Sequence, residues 1–143
     1  MNASITLSIL LLLMGAMLVS CSFATIEARE TGFVVRVTDG DTFVLENGER
    51  VRLICVNTPE KNEAGYGEAK QFLAQLVLNK TVLLEKDQRD RDAFHRMLRY
   101  VYVLDSRNGS NERRFINREL VQQGFAKVKR YPPDIRRCDE IAR

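Results

Sequence analysis

Read for its apolar and polar positions, the chain begins with a nearly continuous apolar run, "ITLSILLLLMGAMLV", from Ile5 to Val19. That run is shorter than the about 20 residues a membrane-crossing helix needs and suits the centre of a signal peptide. A polar stretch, Ser22 to Thr31, follows. Strand-like runs then begin: "FVVRV" and "TFVL" flank Asp39-Gly40, while "FVL" and "RVRLICV" flank Glu46-Asn47-Gly48-Glu49. β-Branched runs on either side of Asp-Gly or Asn-Gly are hairpin signals, so residues 33–56 are predicted as a three-stranded meander. In places these strands are apolar on both faces, as expected of a closed barrel rather than an open sheet.

The period then changes. In "GEAKQFLAQLVLNK", Ala69, Phe72, Leu73, Leu76 and Val77 recur at helical spacing and predict an amphipathic helix. "TVLLEK" returns to strand, "DQRDRDAFHR" is a charged loop, and "MLRYVYVL" is a fifth strand. "SRNGSNER" reads as a turn, and "FINRELVQQG" as a short helix ended by Gly124 at a C′ position. After Pro132 and Pro133 a last helix is expected, with Ile135, Cys138, Ile141 and Ala142 in one stripe. A helix this short is marginal unless docked. The expected class is mainly β with α: a five-stranded OB-type barrel, a helix after strand 3 and two C-terminal helices. Fold alone does not decide function.

Composition bounds this picture without sharpening it. The 143 residues suit one domain, and a net charge of +3 creates no strong field. From Glu112 onward there are nine basic and five acidic residues. That excess fits a polyanion, although solvated surface charge is the preferred reading on charge alone. The apolar leader ends in "LVSC", Leu18 to Cys21, which resembles the lipobox of bacterial lipoproteins. The resemblance implies a signal peptide over residues 1–20, a lipidated Cys21 with a tether over 21–31, and a domain over 32–143. "MNASIT" departs from the pattern in having no Lys or Arg. The lipoprotein reading is taken ahead of a soluble secreted product or a retained anchor. Each of the three implies export, to the cell envelope or beyond. Of the remaining cysteines, Cys55 reads as a small buried hydrophobe, with a Cys55–Cys138 disulfide as the lesser alternative.

Candidate chemistry gathers in three short motifs. "DGDT" (39–42) puts Asp41 just after a hairpin turn, "RLICVNTPE" (52–60) ends a strand in a turn with Glu60, and "DAFHR" (92–96) closes the charged loop. Asp41, Asn57 and Thr58 bring oxygen ligands to neighbouring strand ends, as a hard cation requires. An Asx turn closing the hairpin is the alternative for Asp41. An arginine within a strand, Arg52, is costly unless something anionic meets it. Its plain alternative is a salt bridge to a rim carboxylate. Glu60 would otherwise be an ordinary exposed loop glutamate.

Together with "INRELVQQGFAKV" (116–128), these motifs resemble the staphylococcal-nuclease-like thermonuclease family, in order and with matching spacing over about residues 33–140. The resemblance implies a Ca²⁺-dependent phosphodiesterase acting as a monomer on DNA and RNA and leaving 3′-phosphate ends. It implies Asp41, the Asn57 side chain and the Thr58 carbonyl as metal ligands, Glu60 as general base, and Arg52 and Arg96 as the phosphate clamp. Asn57 stands where the best-known relatives have aspartate. Ala93 and Phe94 stand for a lysine and a tyrosine near the nucleotide pocket, and Arg130 and Tyr131 do not reproduce the tyrosines there. His95 stands where glycine is usual and reads as a turn residue with positive φ, not a catalyst. The rival readings are an OB module that binds nucleic acid without cutting it and a structural lipoprotein. Neither uses Arg52, Glu60 and Arg96 together.

Overall fold

A computed structural model of the chain describes residues 30–105 and 112–143. The apolar leader, Cys21, most of the tether and the turn expected around Asn108-Gly109 lie outside the described residues. The elements run β1 (Glu30–Asp39), β2 (Thr42–Leu45), β3 (Arg50–Leu53), β4 (Val56–Asn57), α1 (Tyr66–Val77) and β5 (Thr81–Glu85). They continue β6 (Met97–Asp105), β7 (Glu112–Phe115), α2 (Ile116–Gln122), β8 (Lys127–Val128) and α3 (Cys138–Ile141).

Closure of the barrel follows from one long strand and one parallel pairing. β1 pairs with β5 through residues Glu30 to Phe33 and with β2 from Val34 onward. Register shifts between Val34 and Arg36 and between Val37 and Asp39 let the strand bend from one partner to the other. β2 and β3 continue antiparallel, and β3 meets β6 in parallel, Val51 opposite Met97 and Leu53 opposite Arg99. β6 returns to β5, so five strands close as the expected OB-type barrel. β7 is added at the edge of β6, and β4 pairs with β8 in a separate ladder. These two short pairings went unforeseen because "ERRF" and "KV" carry no alternating pattern.

Inward positions of the strands are fully buried, among them Val34, Phe43, Val51, Val82 and Val101. Each such side chain contributes about 1.5–3 kcal/mol relative to exposure. α1 closes the barrel with Ala69, Leu73, Leu76 and Val77, and Phe72 stacks on Phe125 at 4.3 Å between centroids. α2 ends where glycine was expected to end it. Gly124 has φ +79°, its N–H donates to Val121 O, and Phe125 N–H donates to Leu120 O. That pair of bonds is a Schellman cap, which satisfies carbonyls the last turn would leave open.

Two expectations are corrected near Cys55. "RVRLICV" is not one strand: it breaks after Leu53, turns through Ile54 and Cys55, and resumes at Val56. Cys55 takes φ +61°, a conformation that costs a residue with a Cβ about 1–2 kcal/mol. Asn117, wholly buried, accepts from Val101 N–H (2.9 Å) and donates to Ile54 O (2.9 Å), so a side chain from α2 replaces strand pairing there. Nor is Cys55 a free buried thiol. It is joined to Cys138, with the Cα atoms 5.4 Å apart, because α3 docks with Cys138 and Ile141 wholly buried. Ile135 (43% exposed) and Ala142 lie outside that contact, so the expected stripe narrows to two residues.

Candidate active site

The β1–β2 hairpin tip is pressed against the chain that follows β4. A Cβ on Gly40 would stand 2.8 Å from Thr58 Cβ and 2.8 Å from Ala69 Cβ, so only glycine fits. Gly40 is not among the glycines of positive φ; here space, not turn conformation, requires it. The close approach delivers Asp41 to Thr58. Thr58 donates to Asp41 Oδ2 from its N–H (3.2 Å) and its Oγ1 (3.0 Å), and Arg52 Nη1 lies 2.9 Å from the same oxygen. Among the described residues, Asp41 Oδ1 accepts only the Thr42 hydroxyl, at 3.2 Å. The Asx turn weighed for Asp41 belongs to its neighbour, since Asp39 Oδ1 accepts from Asp41 N–H at 3.3 Å. Burial, and after it the Asp41 carboxylate, push the Asp39 carboxyl up from 3.8 to about 6.

Arg52 has the rim salt bridge weighed for it and a free edge as well. Nη1 takes Asp41 and the carbonyls of Leu53 (3.2 Å) and Val56 (2.8 Å). Nε and Nη2 have no protein acceptor among the described residues, which leaves one two-pronged edge for a ligand. Arg96 is held differently. Its Nε donates to Asp92 Oδ2 (2.7 Å), and both Nη atoms point onward without a protein acceptor among the described residues. Asp92 Oδ1 also accepts from the N–H groups of Phe94 and Arg96. Burial raises the Asp92 carboxyl, but the bonds from Arg96 and Phe94 outweigh it and leave the group below the usual carboxylate range. The tight turn this creates has His95 at φ +60°, the turn role expected of it.

Arg52 and Arg96 line one cavity of ≈270 Å³, with Leu53, Ile54 and Leu98 among its apolar walls. Asp41, Arg52 and Thr58 are thus in direct contact, and Arg96 joins Arg52 in lining the cavity. Asn57 is half-buried on β4 opposite Lys127, and its side chain makes no hydrogen bond among the described residues. Glu60 lies exposed beyond Pro59. Its N–H donates to the Glu63 carboxylate (2.7 Å) and its carbonyl accepts from Glu63 N–H (2.8 Å), so the loop is closed while the Glu60 carboxylate stays open.

The donor set fits a hard cation in kind: Asp41 Oδ1, the Asn57 amide oxygen and the Thr58 carbonyl are all oxygen ligands. Burial, and after it Asp41, push the Asp39 carboxyl up, and a cation there would relieve the part due to Asp41. Its charge is low, since no three His, Cys, Asp or Glu side chains cluster for a metal among the described residues. Two positioning residues were missed in the sequence. Asp92 could have been found from its place four residues before Arg96. Asn117, a polar residue between Ile116 and the end of α2, gave no sign that its partners lie on β6 and beside Cys55.

An OB-type barrel with two arginine forks facing one cavity, beside a carboxylate at a hairpin tip, defines the class. A family model described as Staphylococcal nuclease homologue matches residues 50–143. The chain belongs to that family. It is 36% identical over 114 residues to a thermonuclease of Staphylococcus intermedius, covering 73% of this chain and 63% of that protein. It is 35% identical over 138 residues to an uncharacterized endonuclease of Haemophilus influenzae, covering 93% and 69%. Similarity of 36% over 137 residues to Protein ParB of Escherichia coli covers 90% and 75%. The chain therefore spans less than two thirds of the Staphylococcus intermedius protein and somewhat more of the other two.

Proposed function

We propose that this protein is a nuclease that hydrolyses phosphodiester bonds of DNA and RNA with little sequence preference, requires Ca²⁺ and leaves 3′-phosphate ends. The observation that carries the reading is that Arg52 and Arg96, each held by a carboxylate and each with guanidinium nitrogens lacking a protein acceptor among the described residues, line one cavity. A phosphodiester offers two non-bridging oxygens, and two planar forks match them where lysine would supply only point charges. As charge builds on those oxygens in the transition state, donors already fixed by Asp41 and Asp92 need little reorganisation. Glu60, open to solvent, takes the proton from the attacking water as the water oxygen bonds to phosphorus. The P–O5′ bond breaks, and the 5′ oxygen takes a proton from solvent water and leaves as a hydroxyl. Asp41, Asn57 and the Thr58 carbonyl would hold Ca²⁺, which when bound would supply positive charge to the phosphate and to the attacking water.

We place the chain outside the cytoplasm, as a monomer anchored by lipid on Cys21. The Cys55–Cys138 disulfide supports an oxidising compartment. "LVSC" supports the anchor. One incubation tests the activity: single-stranded DNA and RNA with the purified protein, with added Ca²⁺ or with a chelator, and analysis of the ends. Cleavage only with Ca²⁺, giving 3′-phosphates, is expected. Binding without cleavage in both conditions would replace the enzyme with a binding module.

A further inference from the structure

The loop that carries Arg96 is anchored at its start and at its end. At the start, Asp134, with a side chain 2% exposed, accepts from the N–H groups of Gln88 (3.1 Å) and Arg89 (2.8 Å). At the end the β2–β3 hairpin reaches across, a contact to which the cleavage step gives no task. Val51 lies opposite Met97 in the parallel β3–β6 pairing, so Arg50 comes level with Arg96. Arg50 Nη2 donates to Phe94 O at 2.7 Å. Arg91 donates to both carboxylate oxygens of Glu49, from Nη1 at 2.7 Å and from Nη2 at 3.1 Å, and from Nη1 to His95 O at 3.1 Å. Glu49 is fixed in turn by its hairpin: its N–H donates to Asn47 Oδ1 (3.1 Å) and its carbonyl accepts from Leu45 N–H (2.9 Å).

These bonds complete the two peptide units that lead into Arg96. In the Phe94–His95 unit, Arg50 takes the carbonyl and the N–H donates to Asp92 O at 3.1 Å. In the His95–Arg96 unit, Arg91 takes the carbonyl and the N–H donates to Asp92 Oδ1 at 3.0 Å. Asp92 alone would hold each plane at its N–H only; the two arginines hold the opposite edge. The turn needs holding, since His95 at φ +60° is in a conformation that a residue with a Cβ resists. An exposed ion pair such as Arg91–Glu49 adds little to global stability. Aim is more demanding than stability, because a misplacement of about 1 Å can cost about 10²-fold in rate. Arg50 and Arg52 both stand on β3, so the strand that carries one fork also holds the turn behind the other. The spacing between the two forks is then set by β3.

We propose that Arg50, and Glu49 acting through Arg91, are positioning residues: they fix the turn before Arg96 and so set the angle at which its guanidinium meets the scissile phosphate. The proposal rests on the nuclease reading, so one of its two measurements needs no activity. In that one, with calcium chelated, Arg50→Ala raises amide hydrogen exchange of His95 and Arg96 about fivefold and leaves that of Val101 on β6 unchanged. In the other, kcat and KM for single-stranded DNA are measured in Ca²⁺. Arg50→Ala lowers kcat about 10-fold with KM within about twofold, and Glu49→Gln lowers kcat about threefold. Arg50→Lys, which keeps one donor for one carbonyl, retains most of the activity. Combined with Arg96→Lys, Arg50→Ala costs less than about a further twofold, because an ammonium has no fork to aim. Unchanged exchange at the turn overturns the proposal, as does a full additive loss beside Arg96→Lys. So does a loss carried by KM with a shallower salt dependence, which would mean that Arg50 itself touches a phosphate. A protein that cuts no DNA in Ca²⁺ loses the nuclease reading, and the exchange result alone then decides whether the hairpin holds the turn. One that cuts DNA with a kcat unmoved by Arg50→Ala loses only the positioning.

Discussion

Arg52 and Arg96 face the same cavity from regions built on different principles. Arg52 belongs to the barrel: it sits on β3 with a side chain 13% exposed, and Asp41 and two main-chain carbonyls hold one nitrogen. Arg96 belongs to a loop: its side chain is 23% exposed and a single carboxylate four residues earlier fixes it. In the barrel half, the acceptors come from β3, the chain entering β4 and the hairpin tip, so orientation and fold stability share the same contacts. In the loop half, Asp92 closes its own turn with two main-chain N–H bonds and aims Arg96 from there. A loop of this kind can change its ligand contacts without disturbing the core.

Conservative replacement of each arginine separates the two halves and carries the largest expected effect. Arg52→Lys and Arg96→Lys are each expected to lower kcat/KM for DNA by about 10²-fold, because an ammonium cannot fork onto two oxygens. Arg52→Lys is expected to lower stability more, by about 1–3 kcal/mol, since it leaves buried acceptors short of a donor. Arg96→Lys leaves Asp92 its main-chain bonds and is expected to cost less than about 1 kcal/mol. Urea titration beside the kinetics reads both. Equal destabilisation by the two variants would erase the distinction between barrel and loop.

The disulfide tests the barrel half from below. Cys55 lies in the turn between Arg52 and Asn57, and its partner Cys138 carries α3. The bridge closes a loop with a sequence separation of 83 residues. Reduction, or Cys138→Ser with Cys55→Ser, is expected to cost about 2–5 kcal/mol. Because Arg52 reaches Val56 O across that turn, activity at sub-denaturing temperature is expected to fall with it. Among the described residues no hydrogen bond of the Asp92 turn reaches the bridge, so hydrogen exchange of the Phe94 and Arg96 amides is expected to stay the same while that around Cys55 rises. A rise at both places would mean that the halves unfold together.

What could be read beforehand divides along similar lines. Strands and α1 follow from their periods, and "DGDT" and "NTPE" announce a carboxylate and a turn at strand ends; the structure joins Asp41 to Thr58. The break at Cys55 was hidden because residues 51–56 are mostly apolar, with no Gly or Pro to interrupt them, and the group that replaces the pairing, Asn117, comes 63 residues after Ile54. Asp134 was hidden for the same reason: its partners Gln88 and Arg89 are 46 and 45 residues away. A buried polar residue is recognised by what it bonds, and sequence does not list its partners. His95 was legible because its role is local. His95→Gly is expected to stabilise by about 1 kcal/mol, as glycine takes φ +60° without a Cβ penalty, and to leave cleavage unchanged. A loss of activity with gained stability would make His95 part of the chemistry.

The smallest expected effect lies at Asn57, where the barrel half meets the proposed cation. Asn57 is placed by β4 and Asp41 by the β1–β2 hairpin tip, and of the two only Asp41 brings charge. An amide oxygen has nearly the reach of a carboxylate, but ligand charge helps set Ca²⁺ affinity. The neutral ligand therefore suits a site filled where calcium is plentiful, as outside the cell, where modules work at about 10⁻⁴–10⁻³ M. Asn57→Asp is expected to lower the Ca²⁺ concentration for half-maximal cleavage by about threefold, with KM for DNA little changed. The shift stays modest because the new carboxylate joins Asp39 and Asp41, and burial and Asp41 already push Asp39 up to about 6. Part of the added charge is then offset by proton uptake instead of drawing calcium. The variant's calcium requirement should accordingly fall further at pH 8 than at pH 6. A requirement that stays the same or rises at both pH values would remove Asn57 from the ligand set, and with it the reason for placing the cation between the hairpin tip and β4.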